Sequence, residues 1–574
     1  MPDWFYRTVA QRGLFCLPDE QARALALGTI GFLGKRRLGR AIIDTLGHMR
    51  ADERLATVVG GTRFPSPIGL GWRVDPEQRA TAGLACFGAG CIEIHAGPRS
   101  RVVRSSGETL REEGPVRSGE DRDPPEVGVP ILVRSLNPDG TERVRFPSGA
   151  ELAVVAWDAP AGDLPPHLAG VVLQVGTKRE EGWEVPVARP AHLLDHLRSW
   201  RLRLGTGAVI GVAGAVAGPL DAQALLEGGA DLVWVDAGLV FRGPGLIKRC
   251  NEALLALRPA NPAQSPPPIT VPAPRQAWFW VLVLGAALAL GGAATLVLAF
   301  TRVVLPYDEH FLGLTSEALR LALPRLFDFM AHDRGTLAGT MLGLGGLYGI
   351  VGVEAVRRGM HGARSAVVAS ALAGFASFFA FFGFGYFDVL HAFVAVVLFQ
   401  ITVQVMTGVE GSARSDPSPP DIEDPYWRRA QWGQLIWILH AVGLLIAGGV
   451  ILVIGMTQVF VGEDLSFLCL SAGEAQRLDS RLVGVVAHDR ATLGGMLLAS
   501  GTVSLLLILW CFRRGADWVG RAMMVLGLPA YAAALGVHFW VGYTDWRHLV
   551  PAWAGCALWA AGAMLSRGYL AARV

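Results

Sequence analysis

Long apolar stretches in the C-terminal half of the chain constrain its fold more than any other feature. A helix needs about 20 mostly apolar residues to cross a bilayer. Eight such spans are predicted, whereas residues 1–258 carry most of the charge. The sequence therefore predicts a soluble N-terminal domain and an all-α polytopic membrane domain in a lipid bilayer. The predicted spans lie near 277–300, 335–353, 365–387, 389–407, 433–457, 491–512, 522–543 and 549–566.

A proline-rich segment separates the two halves. Seven prolines fall within residues 258–275, and such a composition favours an extended, semi-rigid spacer over helix or sheet. The predicted organisation is a soluble domain at 1–257, a linker at 258–276, four helices at 277–408, a cytoplasmic loop at 409–432 and four more helices at 433–574.

Basic residues predict the orientation of the membrane domain. Arg357 and Arg358 lie between the second and third spans, and Arg513 and Arg514 lie between the sixth and seventh. Cytoplasmic loops carry an excess of basic residues, and the N-terminus lacks the layout of a signal peptide. We therefore expect an inner-membrane protein with both termini in the cytoplasm. The net charge of +2 gives no reason to expect a nucleic-acid partner.

An internal repeat relates the two groups of four spans. The sequence AHDRGTLAG at 331–339 returns as AHDRATLGG at 487–495, and GYFDVLH at 385–391 returns as GYTDWRH at 542–548. Four spans per copy give both copies the same orientation, which predicts a pseudo-two-fold axis along the membrane normal.

Both repeated motifs are predicted at the non-cytoplasmic ends of helices, so each copy would gather its own ionisable residues at one membrane face. Such residues are costly at membrane depth unless they are used, which favours a metal, proton or anionic-ligand site. The structural alternative makes Asp333 and Asp489 helix N-caps, with their neighbours as ion pairs and interface anchors. The candidate residues are His332, Asp333, Arg334, Asp388, His391, His488, Asp489, Arg490, Asp545 and His548.

The N-terminal half alternates short apolar runs with helical patterns. Between the runs lie amphipathic stretches such as 192–204 and 219–228. The six runs are PIGLG (67–71), CIEIHAG (91–97), VPILVRS (129–135), GVVLQVG (170–176), VIGVAGA (209–215) and DLVWVDAG (231–238). This alternation is typical of an α/β domain with a parallel sheet or barrel.

One long segment carries a family resemblance. Residues 210–254, which include the run GLVFRGPGLIK at 238–248, resemble the C-terminal end of class 2 (quinone-type) dihydroorotate dehydrogenases. LFCLPDEQARALAL (14–27) resembles the helical cap that admits quinone in those enzymes. The resemblance covers about residues 5–255 and implies a TIM-barrel-like FMN oxidoreductase of pyrimidine biosynthesis.

The same resemblance suggests where FMN would bind. The phosphate would lie against the backbone of Ala213, Gly214, Ala237 and Gly238, and Gly71 and Arg134 would lie on the flavin side. Quinone would be the electron acceptor.

Departures from the family affect the same region. The segment that carries the flavin-site lysine in the family reads Gly71-Trp72-Arg73 here and contains no lysine. The position of the family's second lysine is occupied by Arg134. A charged linker at 99–128 replaces the stretch that carries two barrel strands and the catalytic serine loop, and a 23-residue segment, 137–159, is inserted where the family has a strand-helix connection. This predicts an incomplete barrel with two exposed edges, unless the insert or a second subunit covers them. Two functions remain open. One is a trimmed flavoprotein, and the other is a non-catalytic domain that regulates or scaffolds a transporter- or sensor-like membrane domain.

Overall fold

The chain forms two compact units. The first comprises Met1–Ala260 with Asp416–Gln431, and the second comprises Asn261–Ser415 with Trp432–Arg573. The computed structural model describes residues 3–47, 49–96, 99–105, 108–116, 128–137, 141–179, 182–257, 272–360, 362–378, 386–410, 420–475 and 477–572. Most of the predicted linker at 258–276 lies outside these residues.

A closed barrel of eight strands forms the centre of the first unit. The strands follow one another around the barrel in chain order. The barrel is closed because the last strand pairs with the first. All neighbours are parallel except the fourth strand, which is antiparallel to the third and the fifth. The strands are β1 (Ile68–Leu70), β2 (Ile92–Ala96), β3 (Ile131–Leu136), β4 (Glu142–Arg145), β5 (Glu151–Ala156), β6 (Gly170–Gln174), β7 (Val209–Ala213) and β8 (Leu232–Val235).

The expectation of an incomplete barrel was wrong, and of the two elements considered for covering its edges the insert does so. The inserted segment 137–159 supplies β4 and β5, and β5 pairs with β6 to close the ring. Parallel strands need a crossover of a dozen or more residues, whereas antiparallel strands need only a short turn. Reversing one strand therefore closes the barrel with few residues and leaves no open edge.

The charged stretch 99–128 also forms structure rather than a simple linker. Its strands Arg99–Ser105 and Thr109–Val116 pair as a hairpin. The hairpin joins Gly182–Pro186 and Thr177–Arg179 in a four-stranded antiparallel sheet. Residues 117–127 lie outside the described part of the chain.

Six helices of the first unit matter here. Two precede the barrel and expose large apolar side chains, among them Leu25, Phe32 and Leu38. The helices expected at 192–204 and 219–228 are confirmed. The six are α1 (Asp19–Gly34), α2 (Arg37–Gly47), α3 (Leu193–Leu204), α4 (Pro219–Glu227), α5 (Ala237–Arg242) and α6 (Leu246–Leu257).

The second unit is helical. Among the described residues, seven helices are long and apolar enough to cross a membrane, and α9 is a shorter apolar helix. Residues 379–385 of the third predicted span lie outside the description. The helices are α7 (Ala277–Thr301), α8 (Pro324–Val356), α9 (Ala363–Ser377), α10 (Val389–Thr407), α11 (Pro425–Thr457), α12 (Ser480–Trp510), α13 (Asp517–Val541) and α14 (Trp546–Leu570).

Three of these helices begin well before the predicted spans. α8, α11 and α12 start at residues 324, 425 and 480, instead of 335, 433 and 491. Their first turns contain polar residues, so a count of apolar residues alone places the start too late. Residues 425–431 therefore belong to a helix, although they were predicted in a loop. They lie in the first unit, where the Arg249 guanidinium is 5.0 Å from the centre of the Trp427 ring.

Candidate functional site

The AHDR motifs lie in the third turns of α8 and α12. The N-caps of these helices are Leu323 and Asp479. Asp333 and Asp489 are only 3% and 4% exposed. The alternative that made Asp333 and Asp489 N-caps was therefore wrong, because both carboxylates are inside the bundle.

Reciprocal ion pairs join the two motifs. Arg334 Nε donates to Asp489 Oδ2 at 2.8 Å, and Arg490 Nε lies 3.5 Å from Asp333 Oδ2. The arginine of each motif thus faces the aspartate of the other. The two sequence copies are connected through buried charges instead of forming separate clusters.

Each of these arginines has a second carboxylate partner within its own copy. Arg334 Nη2 lies 3.3 Å from Asp308 Oδ2, and Arg490 Nη2 lies 2.8 Å from Asp464 Oδ2. Both aspartates are almost fully buried, and each also accepts a hydrogen bond from the backbone three residues before it.

Two tyrosines of the second repeated motif contact the same carboxylates. Tyr386 donates its hydroxyl to Asp308, and Tyr543 donates to Asp464 at 2.8 Å. Burial and the neighbouring aspartate raise the pKa of both phenols, so they remain protonated donors. The AHDR and Gly-Tyr motifs are therefore parts of one network.

Three histidines form the first cluster, here called the triad site: His332, His538 and His548. One ring nitrogen from each lies within 4.8 Å of the others, and the Nε2 atoms of His332 and His538 are 2.9 Å apart. His332 comes from the first sequence copy, and its two partners come from the second.

The second cluster, here called the mixed site, comprises Asp388, His391 and His488. His391 Nδ1 lies 2.7 Å from His488 Nε2, and Asp388 Oδ2 lies 3.9 Å from the same nitrogen. Here His488 comes from the second copy and its partners from the first. An apolar cavity of about 110 Å³ reaches His391 between α7, α8, α9, α10 and α12.

The sequence-based grouping was wrong in two respects. Each cluster combines residues of both copies, because α8 and α12 each present their histidine to the opposite copy. Asp545 belongs to neither cluster, since it is an exposed N-cap that accepts from the backbone N–H groups of Arg547 and His548. His538 was missed because the repeat supplied no signal for it, as the corresponding positions near 381 are phenylalanines.

A buried network of charges fills the carboxyl end of the barrel. The Arg73 side chain, directly after β1, is fully buried. Its Nε donates to Glu112 Oε1 at 2.5 Å, and its Nη1 contacts Gln174 Oε1 at 3.1 Å and Asp236 Oδ2 at 3.3 Å. Glu112 comes from the hairpin, and Asp236 follows β8.

Arg134 is the second fully buried arginine of this network. It donates to Glu93 at 2.6 Å, Glu142 at 2.8 Å and Gln174 at 3.1 Å. Its carboxylate partners lie on β2 and β4, so the reversed strand supplies one of them. Gln174 on β6 links the two arginines.

The same network determines protonation in the barrel. Burial raises the pKa of Asp236 to about 6, although Arg73 opposes this shift. Although burial alone would raise it, Arg134 holds the pKa of Glu142 below its usual value. Burial next to Arg134 lowers the pKa of His95 to about 4, so this imidazole is neutral at pH 7.

The glycines that the resemblance assigns to FMN have close neighbours within the protein. A Cβ at Gly71 would lie 1.8 Å from Asp236 Oδ1, and a Cβ at Gly238 would lie 2.2 Å from the Val216 carbonyl oxygen. Gly214 has φ +91°, a conformation that favours glycine. Ala213 ends β7 and Ala237 begins α5, and both are buried.

The N-terminal part of the chain has curated relatives. It is 37% identical over 101 residues to the quinone-type dihydroorotate dehydrogenase of Acidithiobacillus ferrooxidans, an alignment that covers 16% of this chain and 27% of that enzyme. The enzyme of Actinobacillus succinogenes is 32% identical over 108 residues, covering 17% and 31%. The alignments thus span less than a third of these two relatives. No protein-family model matches the chain.

Two solved structures also align with part of the chain. Dihydroorotate dehydrogenase from Eimeria tenella in complex with ferulenol aligns over 41% of this chain and 90% of its own, with 12% identity and a TM-score of 0.29. The ligand-free enzyme from Eimeria tenella aligns over 36% and 88%, with 13% identity and a TM-score of 0.26.

Proposed function

We propose that this is a membrane-integral protein whose dihydroorotate dehydrogenase-like domain is non-catalytic. In this proposal the barrel regulates or scaffolds the membrane domain, which acts as a transporter or sensor. The observation that carries the proposal is the buried network of Arg73 and Arg134. In it, carboxylates and an amide of the protein itself pair with Nε and Nη1 of Arg73 and with all three guanidinium nitrogens of Arg134.

This network does not fit an FMN ring. The resemblance places Gly71 and Arg134 on the flavin side. The Asp236 carboxylate of the network lies directly against Gly71, and Arg134 donates hydrogen bonds to three side chains of the network. A bound ring would have to displace charged groups that are almost fully buried. Leaving such groups without partners costs several kcal/mol each, of the order of 3–5 kcal/mol per broken pair.

A flavoprotein that passes electrons to quinone is the second candidate. It is favoured by the turns at Gly214 and Gly238, whose backbone would hold a phosphate whatever the nearby side chains. It is also favoured by the exposed apolar residues of α1 and α2, which suit contact with a membrane or quinone.

An absorbance spectrum of the purified full-length protein distinguishes the two candidates. We expect no flavin absorbance after purification or after incubation with FMN, and no reduction of quinone by dihydroorotate. The Acidithiobacillus ferrooxidans enzyme, purified in the same detergent, is the positive control. One released FMN per chain would reject the non-catalytic proposal and support the second candidate.

The membrane domain is proposed to consist of two parallel four-helix repeats, 277–408 and 433–574. The matching contacts of Arg334 and Arg490 with Asp308 and Asp464 support this arrangement. With α9 counted as a span, both termini would lie in the cytoplasm, and the two histidine clusters would lie toward the opposite face.

A further inference from the structure

The two histidine clusters share an arrangement that is typical of metal ligands. His332 Nδ1 lies 3.3 Å from Asp333 Oδ1, and His488 Nδ1 lies 3.3 Å from Asp489 Oδ1. In both, this leaves Nε2 toward the cluster. A histidine that binds a metal through one nitrogen commonly directs the other toward a carboxylate, which fixes the ring and raises its basicity.

The partners of His332 are oriented in the same way. His538 Nδ1 contacts the Ala534 carbonyl oxygen, and His548 Nδ1 lies 3.2 Å from the Tyr543 hydroxyl. His538 and His548 therefore each have Nδ1 held locally, whereas His332 Nδ1 faces Asp333 without a hydrogen bond. The Nε2 atoms of His332 and His538 face each other inside the cluster. Two nitrogens bound to one tetrahedral zinc ion at about 2.0–2.1 Å lie about 3.3 Å apart. The Nε2 atoms of His332 and His538 are 2.9 Å apart, so binding would move them apart by a few tenths of an ångström.

The surrounding charges also favour cations. Two arginines, Arg334 and Arg490, are accompanied by more carboxylates than they can neutralise. Buried charges are stable in a protein when they are paired or when they coordinate a metal. The carboxylates are Asp308, Asp333, Asp388, Asp464 and Asp489, and all are at most 8% exposed.

We propose that the membrane unit binds two divalent transition-metal ions, one at the triad site and one at the mixed site. Three imidazole nitrogens at the triad site suit Zn²⁺ and similar ions and leave a coordination position open. The mixed site adds the carboxylate of Asp388, so its bound ion carries less net charge. Both sites lie within the second unit, so metal binding is independent of whether the barrel holds FMN.

The pairing across sequence copies gives the two ions a structural consequence. Each ion joins the AHDR helix of one copy to the last helix of the other, through His332 with His548 and through His488 with His391. The ion pairs of Arg334 with Asp489 and of Arg490 with Asp333 lie directly behind the ligands. Each metal therefore fixes the position of one copy relative to the other.

Metal titration of the full-length protein tests the proposal. The protein is purified without a polyhistidine tag, stripped with a chelator and titrated with Co²⁺ and then Zn²⁺, with visible absorption and elemental analysis as readouts. We expect each chain to bind two metal ions. His538→Gln should remove the triad equivalent, His391→Gln should remove the mixed equivalent, and the double variant should bind neither.

A matched control is available in the same unit. His440 is buried and bonded to the Tyr531 hydroxyl at 2.6 Å, and it belongs to neither site, so His440→Gln should keep both equivalents. Asp333→Asn retains every ligand, leaves Arg490 paired with Asp464 and should weaken the triad site more than the mixed site, by about 10–100-fold. This variant also keeps the test valid if a ligand variant does not fold.

Three outcomes would overturn the proposal. The first is that monodisperse wild-type protein binds less than half an equivalent of either metal. The second is that the variants His538→Gln and His391→Gln each retain both equivalents. The third is that the control His440→Gln loses as much metal as they do.

Discussion

Removing the Arg73 guanidinium is the most direct test of the charge network in the barrel. In the variant Arg73→Met, Glu112 and Asp236 lose their shared cation while both remain buried. Breaking a buried ion pair by removing one partner costs about 3–5 kcal/mol, because a charge is left without compensation. We expect a loss of this size in the stability of the first unit at pH 8.

The loss should depend on pH in a defined direction. The pKa of Asp236 is about 6 in the folded protein and about 4 in the unfolded chain. A carboxyl group whose pKa is raised by folding stabilises the folded state fully below its unfolded pKa. This stabilisation is lost as the pH rises through 6. At pH 5, Asp236 is protonated and uncharged both in the wild type and in Arg73→Met. Removing the guanidinium then leaves only the Glu112 carboxylate without its cation, instead of two carboxylates. Since one pKa unit equals about 1.4 kcal/mol, the loss should be about 1–3 kcal/mol smaller at pH 5 than at pH 8.

Hydrogen exchange of the full-length protein measures the loss of stability in the first unit without isolating that unit. Amides of β7 and β8 should exchange about a hundred to several thousand times faster in Arg73→Met than in the wild type at pH 8, since about 1.4 kcal/mol corresponds to a factor of ten. Arg143→Met is the control, because Arg143 is partly exposed and pairs with Glu151 at 3.4 Å. It should cost less than about 1 kcal/mol.

Two results would refute the reasoning. Equal exchange in Arg73→Met and Arg143→Met would mean that the buried network contributes no more than a surface pair. A larger loss at pH 5 than at pH 8 would mean that Asp236 does not titrate as its burial requires.

Two further predictions concern the membrane unit and its orientation. Gly343→Ala should destabilise the detergent-solubilised protein by about 1–3 kcal/mol, because the new Cβ would lie 2.2 Å from the Leu526 carbonyl oxygen. In the control Gly349→Ala, the new Cβ would have no atom within 4 Å, so the stability should not fall. Equal melting temperatures for the two variants would contradict the close packing at Gly343. A membrane-impermeant maleimide should label the exposed Cys469 in intact cells and the exposed Cys16 only after lysis. Labelling in the reverse pattern would reject the proposed cytoplasmic termini.

Local patterns in the sequence identified most of the secondary structure. Apolar runs located six of the barrel strands, and long apolar stretches located the membrane helices. They succeeded because burial of a strand or of a membrane helix requires an uninterrupted local pattern. The reversed strand β4 has the sequence ERVR, which carries no such pattern, so the way in which the insert closes the barrel could not be predicted.

The repeated motifs show the same division. The sequence identified the AHDR histidines and aspartates, because two copies retain the same ionisable residues. It could not determine their partners. His538 has no counterpart in the first copy, and the pairing of Arg334 with Asp489 joins residues 155 positions apart.

The sequence by itself therefore determined the two-part organisation, the α/β character of the first half and the candidate ionisable residues of the second. Only the tertiary structure decided that a reversed strand closes the barrel, that two arginines fill its carboxyl end and that each histidine cluster combines both copies. The physical reason is that secondary structure follows from neighbours along the chain. The location and pairing of buried charges depend on which distant residues exclude water together.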